Sequence, residues 1–204
     1  MIEVFKNRES IFETAKQYTF WSKLNPDGSI CPITLDDWYI SVSHIVLDEN
    51  IPDIIKYYFD VAKNVLLYSW FSYEMMPAAE LFSYTLVEKA LRVKYKCEGK
   101  HIPTFAALLK NAIKDRLLTN RGFSVPKNSI IETIKKDKND EFEEKECYLR
   151  TEEELEASQE YIGPICESLP TVRNILAHGN TALHPGGWLT LKVNSEIINM
   201  LFRK

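Results

Sequence analysis

The chain has 204 residues and a formal net charge of −4, which excludes a protein with a globally basic surface for nucleic acid but leaves room for a local basic cleft. Hydrophobic residues make up 45% and aromatic residues 12% of the sequence, so the chain can bury the core of one domain, or of a domain with an appendage. Only seven glycines and no run of alternating strands predict an all-α fold.

The sequence carries no targeting signal that we recognise. Its first residues lack a basic segment followed by an apolar core, and no apolar run approaches the roughly 20 residues of a membrane span. The cysteines are widely spaced, without a Cys-x-x-Cys pair, which predicts reduced thiols. We therefore expect a cytoplasmic protein with no membrane contact. The cysteines are Cys31, Cys97, Cys147 and Cys166.

The first fifty residues are predicted as an N-terminal helical extension whose role the sequence leaves unassigned. Residues 5–24 form a candidate helix, which residues 25–28 (NPDG) end as a turn. Thr34 and Asp37 have the spacing of a capping box, so we expect another helix after Thr34. The β-branched residues that follow also allow a strand.

Prolines mark the starts of the next helices. The predicted helices cover about residues 52–71, 77–96 and 103–118, and each begins with a proline. From about residue 127 to 160 the sequence is charged and mostly acidic, which predicts a charged insertion and then a solvated helix. The last helix is expected from about Asn194.

Between these two segments lies a further predicted helix. Its apolar residues recur at spacings of four, three and four, the pattern of an amphipathic helix whose start is open between two prolines. Asn174 and His178 share the face opposite this stripe, and Arg173 lies on the flank between. Gly179 follows as a favoured left-handed C′ residue. The stripe consists of Ile165, Leu169, Val172 and Leu176.

These residues alone allow two interpretations. A histidine before a C-terminal glycine also helps to satisfy the last helical carbonyls, and arginine and asparagine on a solvent face need no function. A histidine, an arginine and an amide within six residues are also a compact set of groups for phosphodiester chemistry.

The spacing Arg173-Asn174-x-x-x-His178 resembles the Arg-x(4–6)-His motif of the HEPN superfamily, in which a polar residue commonly follows the arginine. Residues 78–92 resemble the long helix that precedes the motif helix in that family, and residues 104–109 resemble the short helix that commonly follows the long one. The similarity covers about residues 52–204. It implies an up-and-down helical bundle of HEPN type.

Many HEPN proteins are metal-independent endoribonucleases, so the resemblance implies RNA cleavage by 2′-OH attack, with 2′,3′-cyclic phosphate and 5′-OH ends. Arg173 would hold phosphate charge, His178 would transfer protons, and Asn174 would orient His178 or bond the phosphate. One such histidine per chain is half of an acid–base pair, so a homodimer through the motif helix is implied.

Family analogy further suggests a toxin–antitoxin or phage-defence role, with an antitoxin or regulatory protein as partner. The alternative is a non-catalytic HEPN-like module that dimerises or binds a partner protein. The acidic balance and the lack of a clear basic patch favour this alternative. The retained arginine, asparagine and histidine favour catalysis, because a scaffold does not require all three.

Other candidate residues give weaker signals. Lys89, Arg92 and Lys96 lie on one helical face and form either an RNA phosphate track or a solvated surface. His184 could contact RNA or transfer a proton, or it could be a structural loop residue. Glu88, four residues before Arg92, predicts an i,i+4 ion pair. We expect no metal site and no cofactor, since the remaining histidines have no partner at a ligand spacing.

Overall fold

The computed structural model describes residues 6–97, 103–124, 130–136, 143–149, 161–179 and 186–203. These residues are mostly helical, in agreement with the predicted all-α class. None of the helices that they form is both long and apolar enough to cross a membrane. The helices are α1 (Leu35–Ser43), α2 (Asp53–Tyr68), α3 (Met75–Lys94), α4 (Phe105–Lys114), α5 (Ile162–Ala177) and α6 (Gly187–Phe202). The strands are β1 (Ser22–Leu24), β2 (Ile30–Pro32), β3 (Ile130–Lys136) and β4 (Glu143–Leu149).

The helix predicted over residues 5–24 is wrong. The chain there forms a short 3₁₀ helix, Lys16–Phe20, and then the antiparallel β1–β2 hairpin. Residues 25–28 are a turn, as predicted, but they join two strands, and Gly28 adopts the φ of +85° that favours glycine. Tyr18 is almost fully buried, so its packing against distant parts of the chain decides the local structure.

The charged insertion contains a β-hairpin that the sequence analysis did not predict. Strands β3 and β4 pair antiparallel, from Ile130 opposite Leu149 to Lys136 opposite Glu143. The sequence of β3 (IIETIKK) contains several β-branched residues, which favour a strand. In the prediction, the charged residues of this segment outweighed that signal. The solvated helix predicted before the motif helix falls on residues 150–160, which lie outside the described residues.

The four helix starts predicted between residues 34 and 103 lie within two residues of the observed starts. In the capping box of α1, the Asp37 N–H donates to Thr34 Oγ1 at 3.2 Å and the Thr34 N–H donates to Asp37 Oδ2 at 2.9 Å. Pro52 is the N-cap of α2, and Pro77 lies in the first turn of α3. Thr104 caps α4 with its side chain.

The start of α5 agrees with the earlier of its two predicted starts. The helix begins at Ile162, so Pro164 lies in its first turn, and Pro170 lies inside the helix. The Ile162 N–H donates to Asn120 Oδ1 at 3.0 Å, a cap from a remote residue.

The last helix begins earlier than predicted. Helix α6 begins at Gly187 rather than near Asn194. A Cβ atom on Gly187 would lie 2.4 Å from Met76 Cγ, so glycine lets α6 approach α3 closely.

The described part of residues 1–50 belongs to the same hydrophobic core as the later helices. Tyr18 lies within an aromatic cluster, and its hydroxyl shares a 2.6 Å hydrogen bond with Ser69 Oγ. Burial raises the pKa of Tyr18. Through this cluster, the N-terminal segment packs against the residues at and just after the C-terminal end of α2. The other rings of the cluster belong to Trp21, Trp38, Trp70 and Tyr73.

Helix α3 is the central helix, in contact with α2, α4, α5 and α6. Its buried surface includes polar side chains. The Asn194 Nδ2 donates to Ser83 Oγ at 2.8 Å, and the Thr190 Oγ1 donates to Glu80 Oε1 at 3.3 Å. Because buried polar groups need partners, these two bonds fix the position of α6 along α3.

Removing the α1 cap should destabilise the protein. Thr34→Ala removes the acceptor for the Asp37 N–H, and we expect it to lower the free energy of unfolding by about 0.5–2 kcal/mol. Thr85→Ala is the matched control, because Thr85 is exposed in the interior of α3, where alanine is a better helix former. Urea unfolding measures both variants, and an unchanged free energy for Thr34→Ala would contradict the cap.

The same cap should give a specific acid dependence. The hydrogen bond from Lys23, with those from Thr34, lowers the pKa of Asp37 to about 2. Since a free aspartate titrates at about 3.9, this stabilisation is complete above about pH 4 and is lost as the pH falls towards 2. Asp37→Asn should therefore flatten the fall in unfolding free energy between pH 4 and 2, measured by urea unfolding at each pH. An identical acid dependence in the variant would contradict this assignment.

Candidate functional site

The C-terminal end of α5 carries the motif residues on an exposed helix end. His178 is the C-cap, and its N–H donates to the Asn174 carbonyl at 3.0 Å. Gly179 has φ +76°, the left-handed C′ conformation predicted from the sequence. The side chains of Asn174 and His178 are both exposed, so a ligand can approach both groups from solvent.

The predicted apolar stripe of α5 is confirmed as its inner side, in contact with α3 and α4. Leu169 is buried, and the other stripe residues are half-buried. Ile175, on the outer side, is 45% exposed. Among the residues that the structure describes, the outer face towards the C-terminal end of α5 is therefore uncovered. The half-buried residues are Ile165, Val172 and Leu176.

The Arg173 side chain lies between α5 and two other helices. Its Nη2 donates to Glu88 Oε2 on α3, and its Nη1 donates to Asn174 Oδ1 at 2.8 Å. The guanidinium carbon lies 5.8 Å from the centre of the Phe105 ring on α4. These contacts fix the arginine in one orientation beside the exposed end of α5.

Glu88 is the site residue whose role the sequence analysis missed. The predicted i,i+4 pair is confirmed, with Arg92 Nη2 2.5 Å from Glu88 Oε1. The second oxygen binds Arg173, 85 residues away in sequence, a contact that no local pattern reveals. The Glu88 side chain is only 12% exposed, and its two oxygens pair with these two arginines in place of water. The burial of the Glu88 carboxylate on α3 is the feature that indicates a second cationic partner.

The cluster of Glu88, Arg92 and Arg173 carries a formal net charge of +1. The Nε atoms of both arginines are enclosed, and neither has a hydrogen-bond partner among the described residues. An enclosed donor without an acceptor is costly. The cluster therefore retains positive charge and hydrogen-bonding capacity beyond the one carboxylate that it holds.

The structure places Asn174 with Arg173 rather than with His178. The Asn174 Oδ1 accepts from Arg173, and the motif asparagine is thereby tied to the arginine. Within the part of the chain that is described, no hydrogen bond to the His178 imidazole is present.

Two of the three candidate RNA-binding cations already contact other side chains. The Lys89 Nζ lies over the Tyr58 ring, 4.2 Å from its centre, while Arg92 is paired with Glu88. Lys96 lies beyond the end of α3 and is exposed. His184 falls outside the described residues, so its predicted contact with RNA stays a prediction.

No family model, curated protein or solved structure matches this chain. Any function therefore has to be argued from the side chains described above. Within the described residues, no group of three or more histidine, cysteine, aspartate or glutamate side chains is placed to hold a metal ion.

Neutralising Glu88 should destabilise the fold. In Glu88→Gln, two neighbouring guanidinium groups lose their counter-ion, and we expect the free energy of unfolding to fall by about 1–3 kcal/mol, because both arginines remain partly solvated. Glu167→Gln is the matched control, an exposed glutamate on α5. Urea unfolding of both variants measures the difference, and equal stability of Glu88→Gln and the unaltered chain would show that the pairing is not required.

Proposed function

We propose that this chain is a metal-independent endoribonuclease of HEPN type, which cleaves RNA by attack of the 2′-OH on the adjacent phosphate. The proposal is carried by one observation: the exposed His178 ends α5, five residues after an arginine that Glu88 and Asn174 hold in place. An acid–base group and a fixed cation are thus presented on the same helix end.

The residues suit the reaction that we propose. The 2′-oxygen forms a bond to phosphorus, the bond from phosphorus to the 5′-oxygen breaks, and the products are a 2′,3′-cyclic phosphate and a 5′-OH end. One proton leaves the 2′-OH and one reaches the 5′-oxygen. Imidazole can perform either transfer, so His178 is assigned to proton transfer.

Arg173 is assigned to the negative charge that develops on the phosphorane oxygens. A guanidinium that is already held in one orientation needs little reorganisation when that charge appears, which is the condition for electrostatic stabilisation. Asn174 is assigned to positioning Arg173, since its amide oxygen accepts from the guanidinium. It can also offer its amide N–H₂ to the scissile phosphate.

The reaction needs an acid and a base, and each chain brings one motif histidine. We therefore propose a homodimer in which two α5 helices meet and two His178 side chains share a cleft. The open outer face of α5, with Ile175 45% exposed, supports this arrangement. The proposal extends to a toxin–antitoxin or defence role with a restraining partner protein, on family analogy.

A second function is favoured by a specific observation. The terminal nitrogens of Arg173 already bind Glu88 and Asn174, so a phosphate would have to compete with a carboxylate for this guanidinium. In this second function, Arg173 docks α5 on α3 and takes no part in catalysis. The alternative is therefore a non-catalytic helical module that dimerises or binds a partner protein through α5.

RNA cleavage in EDTA distinguishes the two functions. Cellular RNA treated with the purified chain should yield cyclic-phosphate ends, and His178→Ala should lower the rate at least about 100-fold, the range expected for loss of a general acid or base. His44→Ala is the matched control, because His44 is likewise exposed and caps the C-terminus of α1. The product ends are mapped for all three proteins.

Each other outcome is informative. Equal cleavage by the unaltered chain and His178→Ala would contradict the role of His178 and point to another site or a contaminant. No cleavage by the unaltered chain would favour the non-catalytic module. Loss of cleavage in both histidine variants would indicate a general effect of substitution and not a site at the end of α5.

A further inference from the structure

A small cavity lies on α3 beside the Glu88 cluster. Its volume is about 200 Å³, and it lies between α2 and α3. Buried Leu86 provides an apolar floor, while Phe82 is 37% exposed and Thr85 is exposed. The lining residues are Tyr58, Phe82, Thr85, Leu86 and Lys89.

The walls of this cavity are aromatic and its edge is cationic. The Tyr58 and Phe82 ring centres are 6.2 Å apart with the rings tilted by 49°. The Lys89 Nζ lies 4.2 Å from the centre of the Tyr58 ring. An aromatic face with a lysine beside it suits a flat ring joined to an anionic group, because the ring can stack and the lysine side chain is long enough to turn to the anion.

The size and position of the cavity limit what it can hold. Pockets for drug-sized ligands occupy about 300–1,000 Å³, so this smaller cavity admits a group of about the size of one base. Lys89 and Arg92 are three residues apart on α3, which places them side by side on its surface, about 5–6 Å apart at Cβ. Lys89, which lines the cavity, directly follows Glu88 in the sequence of α3, and Arg92 shares Glu88 with Arg173.

We propose that this cavity is a nucleobase subsite for single-stranded RNA. One base stacks on Phe82, and the Lys89 ammonium leaves the Tyr58 ring to bind the phosphate attached to that nucleotide. The next phosphate along the strand then lies towards Arg92 and the end of α5. The choice of RNA as the ligand rests on the proposed ribonuclease function, whereas the stacking geometry stands on Tyr58, Phe82 and Lys89 alone.

Binding of a fluorescent RNA tests the subsite without requiring cleavage. The probe is a single-stranded RNA of ten nucleotides with 2-aminopurine in place of adenine, and stacking on a side chain quenches its fluorescence. The protein is the full chain with His178→Ala, which prevents cutting during the titration. In that background, Phe82→Leu keeps apolar volume and removes the aromatic face.

We expect the probe to bind with quenching, and Phe82→Leu to raise the Kd about fivefold or more and remove the quenching. Phe20→Leu is the matched control, because Phe20 is 86% exposed and does not line the cavity. Circular dichroism establishes that each variant is folded. Lys89→Gln should weaken binding and reduce its dependence on salt concentration.

The proposal is overturned if Phe82→Leu binds and quenches the probe as strongly as the protein that retains Phe82. It is also overturned if the probe does not bind, in which case an apolar segment of a protein partner becomes the occupant to examine. The nuclease proposal fails separately, when His178→Ala cleaves RNA as well as the unaltered chain. If quenching depends on Phe82 but His178→Ala still cleaves RNA, the base subsite is supported and the role of His178 in cleavage is contradicted.

Discussion

Helix α3 has to pack against four other helices at once, and the rest of the fold depends on how it does so. It contacts α2, α4, α5 and α6, so an apolar stripe on one side would not suffice. Small and polar residues therefore enter its buried surface. Ser83 bonds Asn194 on α6, and Ala79 and Ala90 leave room for close neighbours. These contacts set where α5 and α6 lie along α3, and the position of the motif follows from them.

The Glu88 carboxylate adds an electrostatic constraint to this packing. A carboxylate that is largely removed from water must be paired, and Glu88 is paired on both sides, with Arg92 and with Arg173. The same interaction thus docks α5 and orients the motif arginine. A substitution of Glu88 is therefore expected to change both the stability of the fold and the geometry of the candidate site.

Local sequence patterns predicted the helices in the middle of the chain well. They failed for the aromatic N-terminal segment and for the charged insertion. The starts of α2 and α3 follow from prolines, whose fixed φ suits a first turn. The N-terminal helix was wrong because Tyr18 is held by rings and a hydroxyl from residues 38–73, which outweigh local helix propensity. The β3–β4 hairpin was missed because its strands carry many charged residues and lack the alternation of apolar and polar residues that marks a half-buried strand.

The sequence by itself determined what short-range hydrogen bonding and periodicity specify. The capping box of Thr34 and Asp37 and the left-handed Gly179 involve neighbours within a few residues, so their geometry is encoded locally. Tertiary structure alone decided that Asn120 caps α5, 42 residues away, and that Glu88 holds Arg173. Those partners come into contact only when the helices pack against one another. Each polar group is then removed from water and must bond a neighbour, wherever that neighbour lies in the sequence.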